Sequence, residues 1–257
     1  MSRRRPPRAW VGTPLPADPS ELLGPRGLTQ ELLSEPEEPP EESSATHDRA
    51  AFYWSLLTDE RKARIESVVA SRLASVAVVL DRLLDAHNTA AILRTAEGLG
   101  ILGVHIAPNE DGDGVAHRRV TQDAHKWLDL VQHQSGAQAA TALKAQGFEV
   151  WAGHLDARSI LYTELPANRP VALLFGNEHE GPSAETLAAC TGTFRIPMAG
   201  FTQSFNVSVA AGIALAQHAQ RRRSFLHAAG DLDGKARQAL QDRFTLLAAK
   251  LSRRLKR

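Results

Sequence analysis

Between residues 76 and 197 the chain alternates between two kinds of apolar pattern. Short runs of four or five apolar residues recur at "VAVVL" (76–80), "VHIAP" (104–108), "FEVWA" (148–152), "VALLF" (171–175) and "FRIP" (194–197), with "WLDLV" (127–131) a weaker instance. Runs of this length bounded by turn residues are buried strands. Between them, stretches at 89–99, 137–146, 184–190 and 206–223 carry apolar positions at helical spacing. Strand and helix in regular alternation predict an α/β fold: a mostly parallel sheet covered by helices on both faces.

Helices also flank this core. In "TDERKARIESVVASRL", Thr58 can cap, Asp59 and Glu60 suit the positive helix end, and Ile65, Val68, Val69 and Leu73 form a stripe. Residues 233–255 place Leu240, Phe244, Leu247, Leu251 and Leu255 at helical spacing. Residues 1–50, with "TPLPADP" and "SEPEEPPEESSATHD", read as a disordered acidic, proline-rich tail that cannot bury enough surface to offset chain entropy. The predicted organisation is therefore a tail over 1–50, a helix over 51–75, the α/β domain over 76–225, and a basic terminal helix over 226–257.

Charge sharpens this division. The formal net charge is only +1, but residues 218–257 hold eleven Lys or Arg against three Asp or Glu, while residues 73–217 hold nine against fourteen. Segregated basic charge is the footprint of a polyanion partner. The single cysteine, Cys190, excludes an internal disulfide and fits a reducing, cytoplasmic setting. No run approaches the roughly eighteen apolar residues of a membrane span, and no Cys/His cluster has metal-ligand spacing, so neither membrane nor metal is expected.

"GLGILG" (98–103) matches a dinucleotide fingerprint in letters only. That motif needs a strand before it and a helix after it; here the order is reversed, and Gly98 and Gly100 read as helix-ending glycines. A nucleotide-dependent oxidoreductase is discounted on that ground.

Three other segments put polar side chains beyond strand ends, where open parallel sheets bind ligands. "DAHNTAAILRTAEGLG" carries Asn88, or Thr89, as a helix cap and Arg94 among apolar neighbours. "VALLFGNEHEGPSAETL" follows a buried strand with Gly176, Asn177 and Glu178, and Gly181 precedes a helix capped by Ser183. "RIPMAGFTQSFNVSVAAGIALAQ" crowds Gln203, Ser204, Asn206 and Ser208 at one helix entrance, more polar groups than capping requires. Behind that entrance Ala210, Ala211, Gly212, Ala214 and Ala216 permit close backbone approach.

In this order and spacing the three segments resemble the SpoU branch of the SPOUT RNA methyltransferases, over about residues 60–225. They match its "N…R", "GNExxG" and "IPM…SxNVSVAA" elements. "HKW" (125–127) and the arginines after the third element bring the likeness closest to the tRNA guanosine-18 2′-O-methyltransferase group. The lead "LDRLLDAHN" departs from the group's usual Glu-Asn-Val lead, Phe205 replaces a leucine, and the acidic tail is additional.

The resemblance implies a C-terminal trefoil knot, a homodimer, S-adenosyl-L-methionine as methyl donor and tRNA as partner. It assigns Arg94, Asn88, Glu178, Ser204 and Asn206 to catalysis. It assigns Leu155, Gly176, Asn177, Ile196, Met198 and Phe205 to the cofactor. It ties His87 to RNA, and the places of Arg61, Arg64 and Arg72 on the leading helix and of Arg221 and Arg223 at the end of the helix after the third segment add those arginines as RNA contacts. Two readings remain beside it: 2′-O-methylation of ribosomal RNA, and an RNA-binding module without catalysis.

Overall fold

The computed structural model describes residues 46–108 and 124–254; residues 1–45, most of the expected tail, and residues 255–257, with Leu255, lie outside them. Seven strands form one sheet in the order β3-β2-β1-β6-β4-β7-β5. They are β1 (Leu73–Asp81), β2 (Ile101–Ala107), β3 (Asp129–Gln132), β4 (Glu149–Gly153), β5 (Ile160–Leu161), β6 (Val171–Phe175) and β7 (Gly192–Arg195). Every pairing between them is parallel. The mostly parallel α/β fold expected from the alternation is therefore present. All six apolar runs became strands, the weaker one included. Only β5 had no signal, because two residues are too few to show a period.

Helices α1 (Thr46–Ser55), α2 (Asp59–Ala70), α3 (Ala86–Gly98), α4 (Gly136–Ala145), α5 (Ala184–Ala189), α6 (Val207–Leu226) and α7 (Gly234–Arg254) complete the described fold. Strand β6 is buried along its whole length and sits between β1 and β4. One sheet face buries Val76, Val78, Leu80, Leu173 and Phe175 with Ile92, Leu93, Ala211 and Leu215 of α3 and α6. The other buries Ala77, Val79, Ala172 and Leu174 with Ala139, Ala140 and Leu143 of α4. Alternate residues along a strand point to opposite faces, so a strand covered on both sides must be apolar throughout.

Helices α1, α2 and α7 form a separate apolar layer. Tyr53, Leu57, Ile65 and Val69 pack there on Leu102, Leu240, Phe244 and Ala248. This corrects two boundaries. Helix α1 runs through Thr46–Ser55, across the boundary expected at 50, with Ala50 and Tyr53 buried. The expected single helix over 51–75 is instead α1 and α2, separated at Leu56–Thr58, followed by the start of β1. Thr58 caps α2 through its side chain, as expected. Asp85, not Asn88 or Thr89, caps α3. Gly100 takes φ +76 and donates its amide to the carbonyl of Glu97, the helix-ending role that "GLGILG" was given.

The layer is also tied by His47, whose Nδ1 lies 2.7 Å from Asp242 Oδ2 on α7. Its hydrogen bond with Asp242, and then the charge of that carboxylate, raise the His47 pKa above the ordinary 6.5. A raised folded-state pKa gives stability fully present below the unfolded value and lost as pH rises through the folded one. The denaturation midpoint of Asp242→Asn should accordingly fall below the parent's at pH 6 and converge toward it at higher pH. A gap that instead widens with pH, read by urea melts, contradicts the pairing.

Candidate active site

Because the strands are parallel, the segments following β1, β6, β4 and β7 leave the sheet at one end, and these four strands are neighbours. Three of those segments, after β6, β4 and β7, border a cleft of about 870 Å³. His154 and Leu155 follow β4, Gly176, Asn177 and Glu178 follow β6, and Ile196, Met198, Ser204, Phe205 and Asn206 follow β7. All six residues assigned to the cofactor line it, together with Glu178, Ser204 and Asn206.

The turn after β6 requires its glycines. A Cβ on Gly176 would stand 2.3 Å from the backbone nitrogen of Pro182, and Gly181 has φ +70. Asn177 holds the turn: Oδ1 accepts from the amides of His179 (2.9 Å) and Glu180 (3.1 Å), and Nδ2 donates to the carbonyl of Arg82 at 3.3 Å. Arg82 itself sits at φ 56, in the left-handed region that a non-glycine residue rarely occupies.

Glu178 is thereby aimed at the loop after β1. Its Oε2 accepts from the Leu84 amide at 2.9 Å, and its Oε1 accepts from the Asp85 amide at 3.3 Å and from Asn88 Nδ2 at 2.9 Å. Burial pushes its pKa up, but the bonds from Leu84, Asn88 and Asp85 outweigh burial and hold it below the ordinary carboxylate value. Asn88 is 9% exposed, and its Oδ1 accepts from Asn206 Nδ2 at 3.1 Å. Asn206 Oδ1 then caps α6, accepting from the Ser208 amide at 2.9 Å and the Ser208 hydroxyl at 2.6 Å. An ionised carboxylate accepts only, so this chain of bonds runs one way and fixes both asparagine amides.

The crowded helix entrance is thus divided. Asn206 caps α6 with Ser208 donating to it, while Gln203, Ser204 and Asn206 itself line the cleft. Ser208 belongs to the network although it was not among the assigned residues; its place two residues after the cap was the available signal.

Arg94 lies apart. It is exposed on α3 and does not line the cleft. Six residues separate it from Asn88, so it stands about 9 Å along the axis and about 120° around it. Within one chain the structure joins Asn88, Glu178 and Asn206, but not Arg94.

Most cations assigned to RNA turn inward, which corrects the expectation of a cationic surface built from them. Arg72 is 1% exposed, 2.9 Å from Glu97 Oε1, and lies over the Phe244 ring. Arg221 donates to the Leu165 carbonyl at 2.6 Å. Arg223 donates to the carbonyls of Ala229, Ser71 and Leu99 at 2.7–3.0 Å. Arg222 between them, 8% exposed, bonds Ser75 and the Ala167 carbonyl. These guanidiniums, carried on the end of α6, complete main-chain acceptors on other segments. Arg61 is 7% exposed, and burial first, then the Arg64 cation, lowers its pKa to about 10. Arg64 is half-buried with Nε unpaired, and His87 is exposed beside the network.

The model of the SpoU rRNA Methylase family matches residues 75–216. The chain belongs to the SpoU methylase family. Among SpoU relatives, a tRNA (guanosine(18)-2′-O)-methyltransferase of Thermus thermophilus is 40% identical over 168 residues, 65% of this chain and 84% of the relative. The enzyme of that name from Escherichia coli K12 is 34% identical over 164 residues, 63% of this chain and 70% of its own. Among solved structures, the A. aeolicus TrmH/SpoU tRNA modifying enzyme superimposes with a TM-score of 0.66 at 29% identity, covering 74% of this chain and 96% of that one. An AdoMet-bound rRNA methyltransferase from Sinorhizobium meliloti gives 0.50 at 27% identity, covering 61% and 59%. The resemblance read from the three motifs is borne out.

Two substitutions probe the SpoU site. Glu178→Gln offers one acceptor oxygen where two are in use, and should destabilise the loop junction by about 1–3 kcal/mol. Gly176→Ala should abolish ligand binding in the cleft, since backbone must move to admit the methyl group. Wild-type melting and ligand affinity in both variants would contradict this account.

Proposed function

We propose that this chain transfers a methyl group from S-adenosyl-L-methionine to a ribose 2′-hydroxyl of tRNA, at guanosine 18. One observation carries the proposal: Asn88, Glu178 and Asn206, from three distant segments, form one hydrogen-bonded network at the rim of a cleft suited to the donor. The named activity of the relatives supports the choice of tRNA. The rival substrate, ribosomal RNA, draws on the family description and on the Sinorhizobium meliloti structure.

The cleft fits the donor on its own features. About 870 Å³ lies within the roughly 300–1,000 Å³ of small-molecule sites. Its walls include Leu155, Ile196, Met198 and Phe205, apolar surface for a nucleoside, and Gly153 and Gly176 let main-chain groups come close. Leu155, Gly176, Asn177, Ile196, Met198 and Phe205 would hold the cofactor. When bound, it supplies an electrophilic methyl group. The remaining task is to hold the acceptor hydroxyl and stabilise charge developing on it.

In this reading Arg94 performs that stabilisation. Its role is electrostatic: the planar guanidinium donates hydrogen bonds to the oxygen on which charge develops. Since Arg94 does not line its own chain's cleft, the site is completed in this reading by a homodimer, with Arg94 reaching toward a partner's Ser204 and Asn206. The face of α6 that carries Val209 at 49% exposure and Gly212, with open space where a Cβ would stand, supports a second copy packing there. Glu178 acts by position: its lone pairs are committed to Leu84, Asp85 and Asn88. The family's trefoil knot, the cytoplasmic setting and RNA contacts by His87 and Arg64 belong to the same proposal. No described helix is long and apolar enough to cross a membrane.

The deciding experiment is transfer from labelled S-adenosylmethionine to tRNA and to ribosomal RNA, with the methylated nucleotide mapped. Label on ribosomal RNA alone would replace the substrate, and no label on either would remove the activity. Arg94→Ala should lower turnover by about a hundredfold or more while tRNA still binds. Affinity for tRNA should fall steeply with salt, because phosphate contacts release counterions; a flat response excludes the basic helices as the docking surface.

A further inference from the structure

His154 and Leu155, one wall of the cleft, lie on a turn between β4 and β5. Leu155 is 72% exposed, so packing does little to hold it. Hydrogen bonds converging on Ser159, 7% exposed, do hold it. The Ser159 hydroxyl donates to the His154 carbonyl at 2.7 Å and accepts from the Asp156 amide at 3.1 Å. Thr193 Oγ1 stands 2.9 Å from Ser159 Oγ and 3.3 Å from Asp156 Oδ2. A hydroxyl has one proton and two acceptor sites. With the Ser159 proton on His154, the single Thr193 proton is shared between Ser159 Oγ and Asp156 Oδ2. The Ser159 amide donates to the Asp156 carbonyl at 3.3 Å, and the Asp156 carboxylate accepts from the Arg158 amide, which closes the turn.

Thr193 belongs to β7, where it is in register with Ala152 of β4. The continuation of β7 forms the facing wall, from Ile196 to Asn206. A pair of hydroxyls therefore couples one side of the cleft to the other. Neither Ser159 nor Thr193 lines the cleft itself.

We propose that Ser159 and Thr193 are a positioning pair that fixes the His154–Leu155 wall and thereby sets affinity for the methyl donor. This rests on reading the cleft as the S-adenosylmethionine site. Loss of either hydroxyl leaves the sheet intact but frees the turn, and the bound state must then order it again.

The test is calorimetric titration of the full chain with S-adenosylhomocysteine, beside steady-state methyl transfer to tRNA. Ser159→Ala should weaken binding about three- to tenfold and raise KM for S-adenosylmethionine equally, with kcat and KM for tRNA unchanged. Thr193→Val should act alike and serves on its own if Ser159→Ala fails to fold. The double variant should lose little more than either single one, since the two hydroxyls act as a unit. Ser159→Thr, which keeps the hydroxyl, should retain affinity. Amide exchange over residues 154–159, measured without ligand, should quicken in Ser159→Ala. Unchanged affinity in both single variants, additive losses in the double, or a fall in kcat with KM constant would each overturn the pair. If the parent chain binds no S-adenosylhomocysteine, the cleft assignment fails, whereas the exchange measurement still decides whether Ser159 holds the turn.

Discussion

The site depends on a bond between two asparagine side chains. Asn206 reaches Asn88 across 118 residues of sequence, and Asn88 passes the contact to Glu178. Each member has a second duty: Asn206 caps α6, Asn88 belongs to α3, and Glu178 receives the amides that open the loop after β1. An unpaired polar group in a half-buried junction costs more than a made bond contributes, so the three must be satisfied together or not at all. That is why the rim of the cleft has a defined shape before any ligand enters it.

The parallel sheet makes this convergence inexpensive. Adjacent parallel strands deliver their outgoing segments to one end, so β1, β6, β4 and β7 need no long loops to bring their polar residues together. Charge follows a different logic. Arg221, Arg222 and Arg223 at the end of α6 complete acceptors on neighbouring segments, among them the Ser71 and Leu99 carbonyls where α2 and α3 end. Glu97 and Phe244 similarly enclose Arg72. Electrostatic attraction in this chain is partly spent on holding layers together, which leaves fewer cations for a polyanion than a count of basic letters suggests.

Much of the fold was legible because burial on two faces forces an unbroken apolar run, as at "VALLF", and because Thr58, Ser183 and Asn206 have the oxygen a helix start needs. The cofactor wall was legible through the family motifs, whose spacing carries what periodicity cannot. Other features had no local signal. Asp85 displaced Asn88 as the cap because Asn88 was required by Glu178, a tertiary demand invisible in sequence. Arg72 looked like any surface arginine of an amphipathic helix, and only the approach of Glu97 and Phe244 buries it. The Ser159 hydroxyl likewise sits in an unremarkable turn; its importance comes from Thr193, which is distant in sequence. Helix α1 was missed at its start because acidic and proline-rich letters just before it mask the apolar contacts of Ala50 and Tyr53.

The layer built from α1 and α7 has a practical corollary. It gathers the first and last helices of the described chain against α2 and Leu102, on the β2 half of the sheet, whereas the cleft opens along β6, β4 and β7. Fluorophores attached to those two helices would therefore report on the same small structural body and stay nearly silent when the cleft fills. A reporter of occupancy belongs instead on the turn that carries Leu155, at the exposed Ala157 beside it, where a dye touches neither the cleft lining nor the sheet.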